Sequence, residues 1–246
     1  MRTVWNIAKR EFTSNFLSPL AYVVICLSLV LLGIFFFMVW GGGFWQADRA
    51  TMAQMFQWMP RGLAFVVVPV VTMRLLAEEK RSGTLEMLIT LPVKDHEVIL
   101  GKFLGAWGLV LVLIAATALF PIFMFWWPWN LGALDWRTVG SGYLGLVLFS
   151  AAAVSIGLLL SALTESQVIA FFLTWATLLV FTFWGLAADT FSNQVMRDVA
   201  AYVSFDARLA PFARGMINTR DLVFFVSICF GCLMTSFWAL ERRKWA

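Results

Sequence analysis

Two cysteines have the residue type and spacing to bind a metal. Cys229 and Cys232 are three residues apart, which places both thiols on one face of a helix. Thiols suit a soft metal such as copper(I), but two ligands without a third make a poor site. Met216 and Met234 are close in sequence, yet Met in an apolar helix is more typical of packing. We therefore predict no metal site.

The sequence carries no motif for nucleotide or zinc chemistry. Gly101 and Lys102 are followed by Phe103, and the upstream glycine of a phosphate-binding loop is missing. His96 is the only histidine, and the glutamate after it does not continue into the zinc-hydrolase motif. We predict a protein without catalytic residues that does not bind ATP itself.

The composition is that of an integral membrane protein. Hydrophobic residues make up 61% of the 246 residues and charged residues only 13%. The net charge of +4 is not concentrated in a basic tract with interleaved aromatic residues, so nucleic acid is not an expected partner.

Six segments are predicted to span the membrane, since a helix needs about 20 apolar residues to do so. They are about 20–40, 56–76, 103–127, 138–163, 166–188 and 222–240. The second is the least regular, because Pro69 lies inside it while Arg61 and Arg74 flank its uncharged part. A re-entrant segment is the alternative there. The predicted fold is all-α, with a single transmembrane domain over residues 1–246.

Amphipathic segments flank these spans. The first 18 residues carry apolar side chains at steps of four and are expected to form a helix in the headgroup plane: Val4, Ala8, Phe12 and Phe16. Residues 189–221 are expected to form one or two short interfacial helices on the outer side.

The fourth span carries small residues on one face, namely Ala153, Gly157 and Ser161. Small residues let helices approach closely, so this stripe predicts helix packing. Contact with a second subunit is the alternative to packing within the chain.

A charged island at residues 78–92 interrupts the apolar pattern. Gly83 and Thr84 offer a turn and a helix start, and Pro92 ends the apolar run that follows. This pattern predicts a short helix, which either rests on lipid headgroups or docks onto a soluble protein.

Charge bias orients the chain. With the amino terminus inside, 11 of the 18 Lys and Arg residues are cytoplasmic, including all five lysines. Both termini and the loop 77–102 are then predicted to be cytoplasmic.

No Asp, Glu, Lys or His lies between the ends of the predicted spans. Ion-coupled transporters generally hold their coupling ion with such groups, so energy is expected from outside this chain. Ser155 and Ser161 likewise have no base within their spans.

Two segments carry a resemblance to a known family. EKRSGTLEMLITLP at 79–92, followed by EVILGK at 97–102, resembles the coupling-helix loop in the membrane subunit of type-2 ABC exporters. YVSF at 202–205, with PFARGMI at 211–217 and RD at 220–221, is similar to the branch that contains the gliding-motility permease.

The resemblance implies a permease in the bacterial inner membrane that exports a substrate. It implies two permease copies, or two related permeases, with cytoplasmic ATP-binding subunits that hold ATP and Mg. Pro69, Gly101 and Gly105 are possible hinges, although glycine there fits tight packing equally well. The ATPase-docking residues implied are Glu79, Gly83, Thr84, Leu85, Glu86, Leu88 and Ile89.

A membrane scaffold that recruits a non-ATPase protein is the alternative function. The sequence does not specify the substrate: lipid, peptide, polysaccharide, drug and metal-assembly precursors all stay open.

Overall fold

The computed structural model describes residues 2–17, 19–38, 52–83, 94–125, 135–187 and 193–242, and within these ranges every regular element is helical. The elements are α1 (Arg2–Leu17), α2 (Pro19–Met38), α3 (Ala53–Gly62), a π-helical turn (Leu63–Val67), α4 (Val68–Thr72), α5 (Ala77–Arg81), α6 (Asp95–Thr117), α7 (Leu119–Phe125), α8 (Trp136–Leu163), α9 (Gln167–Ala187), α10 (Gln194–Val203), α11 (Phe205–Ala213) and α12 (Thr219–Arg242).

Five helical segments are long and apolar enough to cross a membrane: Met55–Arg81, Asp95–Ile122, Trp136–Leu163, Gln167–Gly185 and Thr219–Glu241. A sixth is reached if α1 and α2, which meet at a bend of 74°, are counted as one span. The prediction of an all-helical, multi-pass membrane protein is confirmed at this level.

The second span is distorted along its length. The backbone N–H of Val68 donates to the carbonyl of Leu63, one residue further back than in an α-helix. Pro69 follows at once, and its missing N–H cannot continue the regular ladder. A second irregularity, the turn at residues 73–76, separates α4 from α5. Even so, Met55–Arg81 forms one membrane-length segment of 27 residues.

The helix that contains the third span begins before residue 103, the predicted start of the span. Its helix starts at Asp95, where Lys94 has extended backbone angles and the first turn contains Asp95 and Glu97. Carboxylates are favoured beside the free N–H groups of a helix start, which accounts for the extra turns. The described part of the loop between the second and third spans therefore consists of Ser82, Gly83 and Lys94, with 84–93 outside the described residues.

Helix α8 lies at the centre of the core and is the most buried of the five spans. Phe149 on α8 is fully buried, and its ring lies 5.6 Å from Phe205 on α11 and 6.3 Å from Phe225 on α12. Gly142 allows close approach of the second span, because a Cβ there would lie 2.4 Å from the Phe56 ring. The short helix α11 is thus packed on the same central helix as the spans.

Candidate functional site

Helix α1 lies against the start of α6 along a row of glycines. A Cβ atom at Gly101 would come within 2.6 Å of Ile7 Cγ2. A Cβ at Gly105 would come within 2.6 Å of the Glu11 Cβ and 3.0 Å of the Ala8 carbonyl oxygen. These are the contacts of a close helix crossing, and hinge motion at Gly101 and Gly105 stays a prediction.

A buried cation joins three helices beside this crossing. Lys102 on α6 is only 3% exposed, and its Nζ lies 2.7 Å from Glu11 Oε1 on α1 and 2.7 Å from Glu79 Oε1 on α5. Removing an ammonium group from water is costly, and two carboxylates at hydrogen-bond distance offset that cost. We call Glu11, Glu79 and Lys102 the ion triad.

The ion triad borders a polar cavity of about 260 Å³. Arg10 and Asn15 of α1 line it on one side, and Arg74 and Glu78 of the second span line it on another. Glu79 lies four residues before Gly83, and Lys102 lies eight residues after Lys94; Gly83 and Lys94 border the undescribed part of the loop. The ion triad therefore lies at the base of the loop that is predicted to dock. A displacement of that loop would act on α5 and α6 together.

The predicted small-residue stripe lies against the second span of the same chain. A Cβ at Gly157 would come within 2.3 Å of Thr72 Oγ1. One turn later, Ser161 Oγ accepts hydrogen bonds from the backbone N–H groups of Leu76 and Ala77, both at 3.1 Å. Ala153, one turn before Gly157, is fully buried. The hydroxyl of Ser161 thereby satisfies amide groups that the turn between α4 and α5 leaves without helical partners.

Lys80 adds a second link between α5 and α8. Its ammonium group donates to the carbonyl of Ala162, next to Ser161. A cation is favoured there, because the last carbonyls of a helix carry partial negative charge. The segment entering the loop is therefore fixed to α8 as well as to α6.

At the other end of the second span, Arg61 pairs with Asp206 of α11. Arg61 Nη2 and Nε lie 2.7 Å and 3.1 Å from Asp206 Oδ2. The guanidinium carbon also lies 5.1 Å from the centre of the Trp58 ring and 5.8 Å from that of Phe183. Burial raises the pKa of Asp206 above its ordinary value of 3.8, and Arg61 offsets part of that rise.

A further ion pair joins α11 to α12. Arg208 Nη1 lies 2.8 Å from Asp221 Oδ1, and both residues are buried. Arg208 Nε donates to the Tyr202 carbonyl at 3.1 Å, and the guanidinium carbon lies 4.0 Å from the centre of the Tyr202 ring. Tyr202 and Asp221 belong to the segments 202–205 and 220–221, which carry the family resemblance, and Arg208 contacts both residues.

A family model described as "ABC-2 family transporter protein" matches residues 62–224, which is more than half of the chain. The chain belongs to this ABC-2 family. The permease prediction is thereby confirmed: the protein is the membrane permease of an ABC transporter, and such permeases work in lipid with an ATP-binding subunit. The match does not distinguish the gliding-motility branch. Comparison with curated proteins gives no match.

The predicted docking residues of the permease fall into two groups. Thr84, Leu85, Glu86, Leu88 and Ile89 lie outside the described residues. Gly83 is exposed and has a φ of +71°, a left-handed conformation that glycine adopts without strain. The carboxylate of Glu79 contacts buried Lys102, so this residue has a structural contact within the permease. Docking through Glu79 and Gly83 stays a prediction.

No Asp, Glu, Lys or His was expected between the ends of the predicted spans, but the helices that carry these spans extend beyond the predicted ends. Lys102 is buried inside the candidate span Asp95–Ile122, and Asp221 is buried in the first turn of α12. Both are held in ion pairs with residues of neighbouring helices.

Sequence reasoning missed the ion triad and the pairs made by Arg61 and Arg208. One signal was available for Lys102, which follows Gly101 and precedes Phe103 on a face that also carries Gly105. A lysine within a row of small and apolar positions requires a carboxylate partner. The identity of that partner depends on the helix crossing and is not encoded locally.

Proposed function

We propose that this permease belongs to an exporter and is driven by a separate cytoplasmic ATP-binding subunit that docks on the loop between the second and third spans. The observation that carries the proposal is the ion triad. Glu79 precedes this loop and Lys102 follows it, and their contact at 2.7 Å joins the two spans that the loop connects. Glu11 adds α1 to the same unit.

The proposed mechanism is mechanical. Closure of the ATP-binding subunits displaces the loop, with Thr84, Leu85, Glu86, Leu88 and Ile89 as the docking residues. Reversing a conformational preference from about 1:99 to about 99:1 takes about 5.5 kcal/mol, so the connection must be stiff. Buried ion pairs and close glycine contacts provide such stiffness, because neither group can move without losing its partner. The irregular stretch around Pro69 is the proposed flexible part of the second span.

The remaining features follow the family resemblance and the charge bias. We place both termini and the docking loop in the cytoplasm of a bacterium, with the permease in the inner membrane. Helices α10 and α11 then lie on the outer side. Two permease copies, or two related permeases, would complete the transporter. The segments 202–205 and 211–217 support the gliding-motility-type branch.

Affinity purification in mild detergent tests the docking. We expect the tagged permease to co-purify with an ATP-binding subunit from its own host, and a Leu88→Asp variant to lose it, because a carboxylate would be forced into an apolar groove. Leu163→Asp is the matched control, since Leu163 is 61% exposed and is the last residue of α8, beside the Ala162 carbonyl that accepts from Lys80. Equal recovery with Leu88→Asp, or no ATP-binding protein with the unmodified permease, would contradict the proposal.

A further inference from the structure

A large apolar cavity opens beside the irregular part of the second span. Its volume is about 500 Å³, within the range of small-molecule sites in proteins. Side chains from α2, the second span, α6 and α9 line it, including Leu32, Met59, Leu63, Val67, Leu113 and Phe183. A cavity of this size, lined mostly by apolar side chains, accommodates an apolar chain.

One charged residue, Arg61, is part of the lining. Within the described residues its guanidinium group donates two hydrogen bonds, and a single oxygen of Asp206 accepts both. A guanidinium group carries five N–H donors, so three are left for a further acceptor. Trp58 and Phe183 flank the cation and hold it at the cavity.

We propose that the cavity binds the apolar chain of an amphiphile, that Arg61 binds its anionic head, and that amphiphiles of this class are the exported substrate. The last part rests on the proposed exporter function. The head binds at the outer end of the second span, where Arg61 lies, and the chain extends beside the π-helical turn towards Val67. Movement of the second span about Pro69 changes the shape of this cavity, so substrate release is tied to the same helix that enters the docking loop.

Photolabelling tests the occupant. The probe is a long-chain fatty acid with a diazirine in its tail, added to the purified complex of permease and ATP-binding subunit, with the matching alcohol as the uncharged probe. We expect the acid to label the π-helical turn and the cavity-lining residues of α6, where its tail lies, and unlabelled fatty acid to compete. Labelling spread evenly over the lipid-exposed faces of α9 and α12 would overturn the proposal.

A cavity-filling variant makes the test specific. Gly62 lines the cavity, and a Cβ at this position meets no atom within 4 Å, so Gly62→Leu adds a side chain there with no clash at its Cβ. Gly231→Leu is the matched control, because Gly231 on α12 also has no atom within 4 Å and does not line the cavity. We expect labelling to fall to background in Gly62→Leu and to persist in Gly231→Leu. Undiminished labelling in Gly62→Leu would overturn the proposal.

The role of Arg61 is tested by the preference for the acid over the alcohol. Arg61→Gln removes the cation, and the paired variant Arg61→Gln/Asp206→Asn does so without leaving a carboxylate unpartnered. We expect the preference for the acid to be lost in both variants while the alcohol still labels the cavity. A preference that survives in the paired variant would overturn the role of Arg61.

Adding ATP to the complex tests whether the bound amphiphile is an exported substrate or a lipid that stays in the cavity. We expect labelling to decrease when ATP is added, because turnover releases the substrate, and unchanged labelling would overturn the substrate claim. Recovery of the ATP-binding subunit is measured on the same samples. If the subunit is present and the cavity is not labelled even before ATP is added, the amphiphile proposal fails. If the cavity is labelled but no subunit co-purifies, the exporter function fails.

Discussion

Lys102 and Glu79 are 23 residues apart in sequence, and their side chains meet at 2.7 Å. Their contact closes the base of the loop between the second and third spans. The two helices that flank the loop, α5 and α6, are thus joined at its base by a buried ion pair. Motion of the loop must therefore either move α5 and α6 together or separate this pair.

Lys102→Met should destabilise the permease strongly. It leaves Glu11 and Glu79 as two largely buried carboxylates without their shared cation, and breaking a buried ion pair typically costs about 3–5 kcal/mol. Thermal unfolding in detergent measures the loss. The triple variant Glu11→Gln/Glu79→Gln/Lys102→Met removes all three charges and should recover most of the stability that Lys102→Met loses. If Lys102→Met alone unfolds like the unmodified permease, the triad has no structural role.

Gly105→Leu should displace α1 from α6. The added side chain would overlap Glu11 and the backbone at Ala8, and overpacking of this kind costs about 1–3 kcal/mol. Gly140→Leu is the control, because a Cβ at Gly140 meets no atom within 4 Å. A lowered melting temperature is expected for Gly105→Leu and not for Gly140→Leu. Equal melting temperatures would refute the close crossing.

Ser161→Ala should destabilise the second span through its backbone. The amides of Leu76 and Ala77 would lose their acceptor, and a buried unsatisfied donor costs about 1–3 kcal/mol. Ser155→Ala is the comparison, since Ser155 is equally buried and its hydroxyl donates to the carbonyl of Ala152 in its own helix. The two variants are compared by denaturation in detergent, and the larger loss is expected for Ser161→Ala. A larger loss of stability in Ser155→Ala would argue against Ser161 as the acceptor that stabilises the Leu76 and Ala77 amides.

Asp206 should make the stability of the permease depend on pH. Because burial raises the pKa of Asp206 above 3.8, the folded permease binds a proton there at pH values where the unfolded chain has released it. The stability from this group is therefore highest at low pH and declines as the pH rises through the raised pKa. The melting temperature of Asp206→Asn, relative to that of the unmodified permease, should increase over the same window. If the difference in melting temperature between the two proteins does not change with pH, the raised pKa of Asp206 is contradicted.

The spans were predictable because bilayer crossing is a local property of sequence. Long apolar runs predicted the membrane helices, and Pro69 correctly marked the irregular second span, since a missing N–H disturbs a helix in any surroundings. The start of α6 at Asp95 was missed because the loop was defined by charge, whereas carboxylates in a first turn favour a helix start.

The ionic contacts were not predictable in the same way. Glu11 belongs to the segment predicted as an interfacial helix, and its partner is set by how α1 crosses α6 at Gly101 and Gly105. Likewise, Arg61 was identified as flanking the uncharged part of the second span, and its carboxylate partner Asp206 lies 145 residues further along the chain. Such pairings depend on tertiary packing, which neither hydropathy nor spacing encodes.

Distances in the assembled complex test the central claim most directly. One pair of spin labels is placed at Glu78 on α5 and Val168 on α9, both exposed positions, and a control pair at Asn6 on α1 and His96 on α6. On adding ATP, the distance between positions 78 and 168 should change, while that between 6 and 96 stays constant because α1 and α6 are held together. Unchanged distances at both pairs in a complex that hydrolyses ATP would contradict coupling through this junction.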